Sequence, residues 1–242
     1  LTLGLLRALS QDNTEVRGAK SGPDYIDPRF HAAACGQACL NLDAWAMRPD
    51  RIKSLAAGSP LIIEGAMGLF DGAPPNGKGA TADLARLLKL PVVLVVDAAR
   101  MAQSIAPLVA GFARHDPDVV IAGVILNKVG SPRHADMLRA ALATIDMPVL
   151  GSVPRQSNLA MPSRHLGLVQ AAEHPDLEAF LDSAAKIVRT HVDLAKLPKL
   201  LATEKKQNFT AVQIAQGLQF TAGPALNAAR EDLPISVHDN VA

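Results

Sequence analysis

Short apolar runs that alternate with helical stretches are the feature that most constrains the fold of this chain. The runs are rich in β-branched residues and stop at Gly, Pro or a polar residue, which is typical of buried parallel strands. They span residues 61–64, 92–97 and 119–127, and helical periodicity follows at 80–89, 101–115 and 132–145. This alternation predicts an α/β fold with a doubly wound, mostly parallel sheet.

The two ends of the chain carry weaker patterns. They predict a helix at 1–9, a strand at 14–20, a loop at 21–28, a strand at 149–153 and a closing helix at about 173–192. The loop follows from two prolines and a glycine within eight residues, which exclude regular structure. Beyond residue 193 no period is sustained, so we predict one domain over 1–192 and a linker or irregular tail over 193–242.

Composition excludes several classes of protein. The hydrophobic fraction of 49% supports a packed core, and 24 Lys and Arg against 23 Asp and Glu argue against a nucleic-acid-binding domain. No apolar run approaches the roughly 20 residues of a membrane span. We therefore expect a cytoplasmic protein whose Cys35 and Cys39 stay reduced, with no disulfide between them. Two thiols alone also make no zinc site.

Acidic residues lie on loops shaped by glycine and proline. Glu64 ends an apolar run, and Asp71 follows it across a glycine-rich turn. Parallel sheets present ligand-binding groups at the carboxyl ends of their strands, so we expect the chemistry here. Asp24 and Asp27 lie in the loop 21–28. Both can also be read simply as turn-forming residues beside proline.

Five segments of the chain together resemble one family. They read KSGPDYIDPRFH at 20–31, NLD at 41–43, EGAMGLFDG at 64–72, LNKVGSPRH at 126–134 and LAMPSRHLGL at 159–168. In this order they are similar to the cobyrinic acid a,c-diamide synthase family, including its hydrogenobyrinic acid-specific members, over about residues 1–190. The resemblance implies an ATP-dependent amidotransferase of corrin biosynthesis. It also implies a synthetase domain with a dethiobiotin-synthetase-like P-loop NTPase fold, followed by a glutaminase domain that supplies ammonia.

The chemistry that the resemblance implies needs acids near phosphates. Ammonia does not displace hydroxide from a carboxylate, whereas it displaces phosphate from an acyl phosphate made with ATP and Mg2+. The resemblance assigns metal-binding and catalytic roles to Asp24, Asp27, Glu64 and Asp71, with Asp24 and Glu64 as metal ligands. Lys20 ends a predicted strand, and we expect it to act catalytically by contacting a phosphate or stabilising the acyl phosphate. A solvated lysine at a strand end is the plain alternative for Lys20.

The same resemblance suggests where nucleotide and substrate bind. Asn127 and Lys128 follow a strand as the adenine-reading residues of related folds do, although an asparagine there can also cap a turn. A corrin carries many carboxylates, so positive or polar groups near the motifs are candidates for binding it. These are Tyr25, Arg29, His31, Arg155, Arg164 and His165. For the two histidines, an ordinary polar residue is the alternative.

The chain departs from the family pattern at both ends. Residues 72–79 approximate a phosphate-binding loop, but Gly79 stands in place of its hydroxyl residue and two prolines remove N–H donors. We predict a flexible connector there, and the resemblance puts the true P-loop and first strand before residue 1. Nothing after residue 192 resembles the glutaminase domain. The chain alone is therefore expected to be weakly active or inactive.

Other functions also fit this sequence. The motifs also suit an a,c-diamide synthase for another tetrapyrrole, such as nickel-sirohydrochlorin. A non-catalytic remnant that binds a tetrapyrrole or a partner protein is the non-enzyme alternative. The expected partner is a corrinoid small molecule, and a homodimer is left open.

Overall fold

A computed structural model describes residues 1–156, 163–164, 167–168, 170–197 and 211–216. Its helices are α1 Thr2–Gln11, α2 Asp27–Cys35, α3 Pro49–Ala56, α4 Thr81–Leu88, α5 Ile105–His115, α6 Pro132–Ala143 and α7 Leu177–His191, with a 3-10 turn at Ala171–Glu173. Its strands are β1 Arg17–Ser21, β2 Leu40–Leu42, β3 Leu61–Gly68, β4 Val92–Asp97, β5 Ile121–Val129, β6 Val149–Pro154, β7 Ser163–Arg164, β8 Gly167–Leu168 and β9 Ala211–Gln216.

Seven of these strands form one sheet in the order β2-β1-β3-β9-β4-β5-β6. Every neighbouring pair in it runs parallel. The two-residue strands β7 and β8 pair antiparallel outside this sheet. The predicted α/β class with a mostly parallel sheet is confirmed.

Helices cover both faces of the sheet, and β4 shows why its sequence reads as a continuous apolar run. Val92, Leu94 and Val96 pack on one face with residues of α4, α5 and α6. Val93 and Val95 point to the opposite face, where α1, α2 and α7 pack. Because successive side chains of a strand alternate between faces, a strand buried on both sides needs apolar residues at every position.

Some predicted boundaries were wrong for identifiable reasons. The strand predicted at 61–64 continues through the glycine-rich segment to Gly68, with a register shift against β9 after Glu64. The loop predicted at 21–28 ends earlier, because α2 already begins at Asp27. Pro28 suits a first helical turn, where its missing N–H costs nothing.

The segment 72–79 is not the flexible connector that the sequence predicted. The backbone N–H of Ala73 donates to the carbonyl of Lys78 at 2.9 Å, and the two residues form an antiparallel bridge. The segment is therefore a closed turn that leads into α4.

The strand β9 lies in the middle of the sheet, between β3 and β4. Leu61 of β3 pairs with Ala211, and Val92 of β4 pairs with Gln213. The sequence assigned these residues to a linker or irregular tail, and at 211–216 that description is wrong. The division into a domain at 1–192 and a following segment otherwise stays a prediction.

In the described part of the chain, no helix has the length and apolar character that a membrane crossing requires.

Candidate functional site

Lys20 is the centre of a charged cluster at the carboxyl end of β1. Its Nζ lies 2.6 Å from Oδ2 of Asp27 and 3.9 Å from Oε2 of Glu64, and its side chain is 11% exposed. In the sheet register Lys20 is level with Glu64 of β3. Residues level with each other on neighbouring parallel strands share a face, so this contact follows directly from the pairing.

His31 connects α2 to the same cluster. Its Nε2 lies 2.6 Å from Oε2 of Glu64, and the imidazole is 1% exposed. Burial opposes the charge on Glu64, but the hydrogen bond from His31 and the Lys20 ammonium lower the pKa of Glu64 to about 2. Glu64 is therefore a carboxylate at every physiological pH.

Lys20 is likewise held in its charged form. Burial opposes its charge, but the carboxylates of Glu64 and Asp27 more than offset this, and the pKa of Lys20 is raised. The cluster thus keeps one buried ammonium between two carboxylates. Such an ammonium is available to an incoming anion once a carboxylate moves aside.

The other two predicted acids bond to their own turns. Oδ1 of Asp24 accepts the backbone N–H groups of Ile26 at 2.7 Å and Asp27 at 3.0 Å. Oδ2 of Asp71 accepts the N–H of Gly68 at 2.9 Å. These contacts match the turn-forming interpretation, and Asp24 additionally shapes the start of the helix that carries Asp27 and His31. Catalytic roles for Asp24 and Asp71 stay predictions.

The predicted magnesium ligands each bond to a neighbouring group. Asp24 bonds to backbone N–H groups, and Glu64 bonds to His31. Across the described residues, no three His, Cys, Asp or Glu side chains gather where they could hold a metal ion. Because Mg2+ is commonly held by one or two carboxylates together with phosphates and water, the ligand roles of Asp24 and Glu64 stay predictions.

Polar residues that sequence reasoning missed support the cluster. Thr81, the first residue of α4, accepts the N–H of Ala66 at 3.2 Å, and its Oγ1 lies 3.4 Å from the Ser21 hydroxyl. Asn41 of β2 donates to the carbonyl of Asp24 at 2.6 Å. The buried threonine thereby ties the glycine-rich end of β3 to the end of β1. A threonine at the start of a predicted helical stretch was the available signal.

A second charged pair lies at the ends of β4 and β5. Nζ of Lys128 is 2.7 Å from Oδ2 of Asp97, and Asn127 is level with Asp97 in the register. Burial opposes the charge on Asp97, but the hydrogen bond from Lys128 lowers the pKa of Asp97. Asn127 accepts the N–H of Lys128 at 3.0 Å.

Both Asn127 and Lys128 lie inside β5 rather than after it, so the strand predicted at 119–127 ended too early. Their adenine-binding role stays a prediction. Sequence reasoning missed Asp97, although it ends an apolar run as Glu64 does. That shared position was the signal.

The predicted substrate-binding residues differ widely in exposure. Tyr25 is 75% exposed, and Arg29 and Arg155 also face solvent. His31 is instead buried against Glu64, an arrangement that suits positioning this carboxylate rather than meeting a substrate in solution. For Arg164 the structure describes only its place in β7, and His165 lies outside the described residues.

A cavity of about 460 Å³ lies beside the turn that follows β3. Phe70 of that turn stacks on Phe112 of α5 with ring centroids 5.9 Å apart. It also makes an edge contact with His115, with ring centroids 4.5 Å apart. Asp71 is the one predicted site residue in the cavity lining. The cavity is thus lined by other residues than the Lys20 cluster.

A family model described as an AAA domain matches residues 24–163. Hydrogenobyrinate a,c-diamide synthase of Brucella anthropi is 56% identical over 212 residues, which cover 85% of this chain and 48% of that protein. The Rhizobium meliloti protein of the same name is 56% identical over 199 residues, covering 80% and 46%. The Rhodobacter capsulatus protein is 53% identical over 204 residues, covering 81% and 47%.

The chain spans about half the length of these curated relatives. The matches confirm the resemblance drawn from the motifs and the predicted P-loop NTPase-type fold class.

Proposed function

Because the chain belongs to the AAA domain family and is more than half identical to hydrogenobyrinate a,c-diamide synthases over the matched residues, we propose that it takes part in cobalamin biosynthesis as an ATP-dependent amidoligase. The proposed substrate is hydrogenobyrinic or cobyrinic acid, and the proposed products are amides of its a and c side chains. Nucleotide binding is what the family implies, and ATP is the proposed phosphoryl donor. The free thiols of the chain agree with a cytoplasmic setting.

The proposed amidation of each carboxylate has two steps. A substrate carboxylate oxygen attacks the γ-phosphorus of ATP, which forms an acyl phosphate and releases ADP. Ammonia then attacks the acyl carbon, inorganic phosphate leaves and a proton is lost to solvent. The ammonia comes from glutamine through a glutaminase domain in this proposal.

The observation that carries the proposal is the buried Lys20 ammonium between Asp27 and Glu64 at the carboxyl edge of the sheet. We assign to Lys20 the stabilisation of negative charge on the phosphoryl group during transfer, where a fixed cation is most effective in a site of low dielectric. His31 orients Glu64, and Glu64 keeps Lys20 charged. No step is routed through Mg2+, because the ligand roles of Asp24 and Glu64 stay predictions.

The exposed groups beside this cluster are assigned to the substrate. Arg29 lies on the solvent side of α2, two residues from both Asp27 and His31 of the cluster, and Tyr25 precedes the same helix. A guanidinium binds carboxylates through two parallel hydrogen bonds. A polycarboxylate macrocycle is the kind of ligand that these groups suit.

Calorimetric titration of the chain with hydrogenobyrinic acid tests the proposal. We expect saturable binding, and we expect Arg29→Gln to weaken it about tenfold, equivalent to about 1.4 kcal/mol. Arg51→Gln is the matched control, because Arg51 is also an exposed arginine on a helix and belongs to none of the five segments that carry the resemblance. The absence of macrocycle binding, or equal weakening by both variants, contradicts the proposal.

A parallel titration with nickel-sirohydrochlorin identifies the macrocycle. Tighter binding of nickel-sirohydrochlorin would move the assignment to that substrate. Turnover with ammonium and MgATP is followed by mass spectrometry of the amide products. We expect turnover by this chain to be low. Amidation at a rate typical of enzymes would contradict the expected low turnover, although it would support the proposed reaction.

A further inference from the structure

The two cysteines of the chain meet although neither belongs to the charged cluster. Sγ of Cys35 and Sγ of Cys39 lie 3.6 Å apart, and both thiols are free. Cys35 is the last residue of α2, and Gly36 follows with a φ of 68°. This left-handed residue reverses the chain direction, which a glycine does without steric cost. The reversal brings Cys39 back beside the helix end.

The surroundings of the pair stabilise a thiolate. The N–H of Gly18 donates to Sγ of Cys39 at 3.3 Å. The hydrogen bond from the Cys39 thiol, with burial acting against it, lowers the pKa of Cys35 to about 6. The same bond raises the pKa of Cys39. At neutral pH the pair therefore holds one proton between two sulfurs, and a thiolate is the nucleophile in disulfide exchange.

Access to the pair is one-sided. Cys35 is 4% exposed, whereas Cys39 is half-buried and follows three exposed residues, 36–38. Cys39 is therefore the more accessible residue of the pair for a small molecule in solvent. This is the arrangement of an exchanging and a resolving thiol.

We propose that Cys35 and Cys39 form a reversible disulfide within the chain by exchange with a small-molecule disulfide such as oxidised glutathione. As the Cys39 thiol passes its proton to the Cys35 thiolate, the Cys39 sulfur attacks one sulfur of the oxidant, and a mixed disulfide forms as one small thiolate leaves. Cys35 then loses this proton and attacks Sγ of Cys39, which releases the second small thiolate. The pair loses two electrons and its one proton, and the two released thiolates take up that proton and one from solvent to become two thiols.

Bond formation requires only a local adjustment. A disulfide bond is about 2 Å long, so the sulfurs must approach from 3.6 Å. The exposed segment 36–38 can take up this movement, because it lies outside helix and strand. The expected reduced resting state agrees with a bond that forms only under oxidation.

The modified position lies close to the charged cluster along α2. His31 is four residues before Cys35 on the same helix. Gly18 bonds to Cys39 on one side, and its Cα packs against His31 on the other, where an added Cβ would come within 2.8 Å of the His31 Cβ.

Mass spectrometry of the full chain after equilibration with excess oxidised glutathione tests the proposal. The sequence has two cysteines, so the products are distinguishable. We expect the loss of both maleimide-reactive thiols and of two hydrogen masses, with the internal disulfide at least about tenfold more abundant than glutathione adducts. Reduction by dithiothreitol should restore both thiols.

Single-cysteine variants supply the matched control. Cys35→Ser lacks the resolving thiol and should end as a stable glutathione adduct on Cys39. Cys39→Ser lacks the exchanging thiol and should keep its buried Cys35 unmodified. Circular dichroism is the check on folding for both variants. Retention of both thiols by the wild-type chain overturns the proposal. So does a wild-type product that carries glutathione, or a disulfide between two copies of the chain.

Discussion

Two charged groups lie at the same carboxyl edge of the sheet, and they differ in how the fold holds them. The Lys20 cluster draws on β1, α2 and β3, and the Lys20 side chain is 11% exposed. The pair Asp97 and Lys128 comes from two neighbouring strands, and the Lys128 side chain is 43% exposed. Ion pairs in high dielectric gain little, whereas a buried charge depends on its partners. The difference indicates that only the first group is strongly coupled to folding.

Removing one acid from each group should give the clearest difference in stability between the two groups. Glu64→Ala leaves Lys20 and His31 without their shared partner, so we expect the free energy of unfolding to fall by about 3–5 kcal/mol. Asp97→Ala leaves Lys128 free to meet water and should cost about 1 kcal/mol. Urea unfolding followed by circular dichroism measures both. Equal losses would show that the two groups are alike.

Lowering the pH should also distinguish the two groups by its effect on stability. The pKa of Glu64 is about 2 in the folded chain against a usual 4.5. A lowered pKa contributes stability that is complete above pH about 4.5 and is lost as pH falls towards 2, by at most about 3 kcal/mol. The stability difference between wild type and Glu64→Gln should therefore shrink through this window. The corresponding Asp97→Asn difference should change less; a Glu64→Gln difference independent of pH would contradict the assigned cause.

A substitution at Gly18 should give the smallest effect on the free energy of unfolding, and it should disturb the Lys20 cluster alone. In Gly18→Ala the new Cβ would lie 2.8 Å from Cβ of His31, so we expect His31 to move from Glu64 at a cost of about 1–3 kcal/mol. The ¹⁵N chemical shifts of the His31 ring report the movement, and Lys128 should be unaffected. Gly111→Ala in α5 is the control, because its Cβ meets open space. An unchanged His31 signal would contradict the expected displacement.

The fold was predictable where local patterns suffice. Residues 92–97 form β4 as predicted, because a strand buried on both faces has a nearly continuous apolar sequence. The strand β9 was not predictable, because its six residues, AVQIAQ, pair with strands far back along the chain. A segment this short carries too little periodicity to distinguish strand from irregular structure.

The charged cluster was predictable in part. Lys20 and Glu64 lie at the ends of predicted parallel strands, so their meeting at one edge follows from the fold class. Asp24 and Asp27 share one loop in the sequence, and the spacing does not determine which of them faces Lys20. The bond between His31 and Glu64 depends on how α2 docks on the sheet, which is a tertiary property.

The position of β9 has a consequence for the order in which the molecule is built. A ribosome releases the chain from its N-terminus, so β3 and β4 leave the exit tunnel long before residues 211–216 arrive to join them. Within the described residues, β9 is the strand that connects β3 to β4. Closing a sheet through contacts so distant in sequence is slow, so we expect β9 to join its two neighbours late in folding.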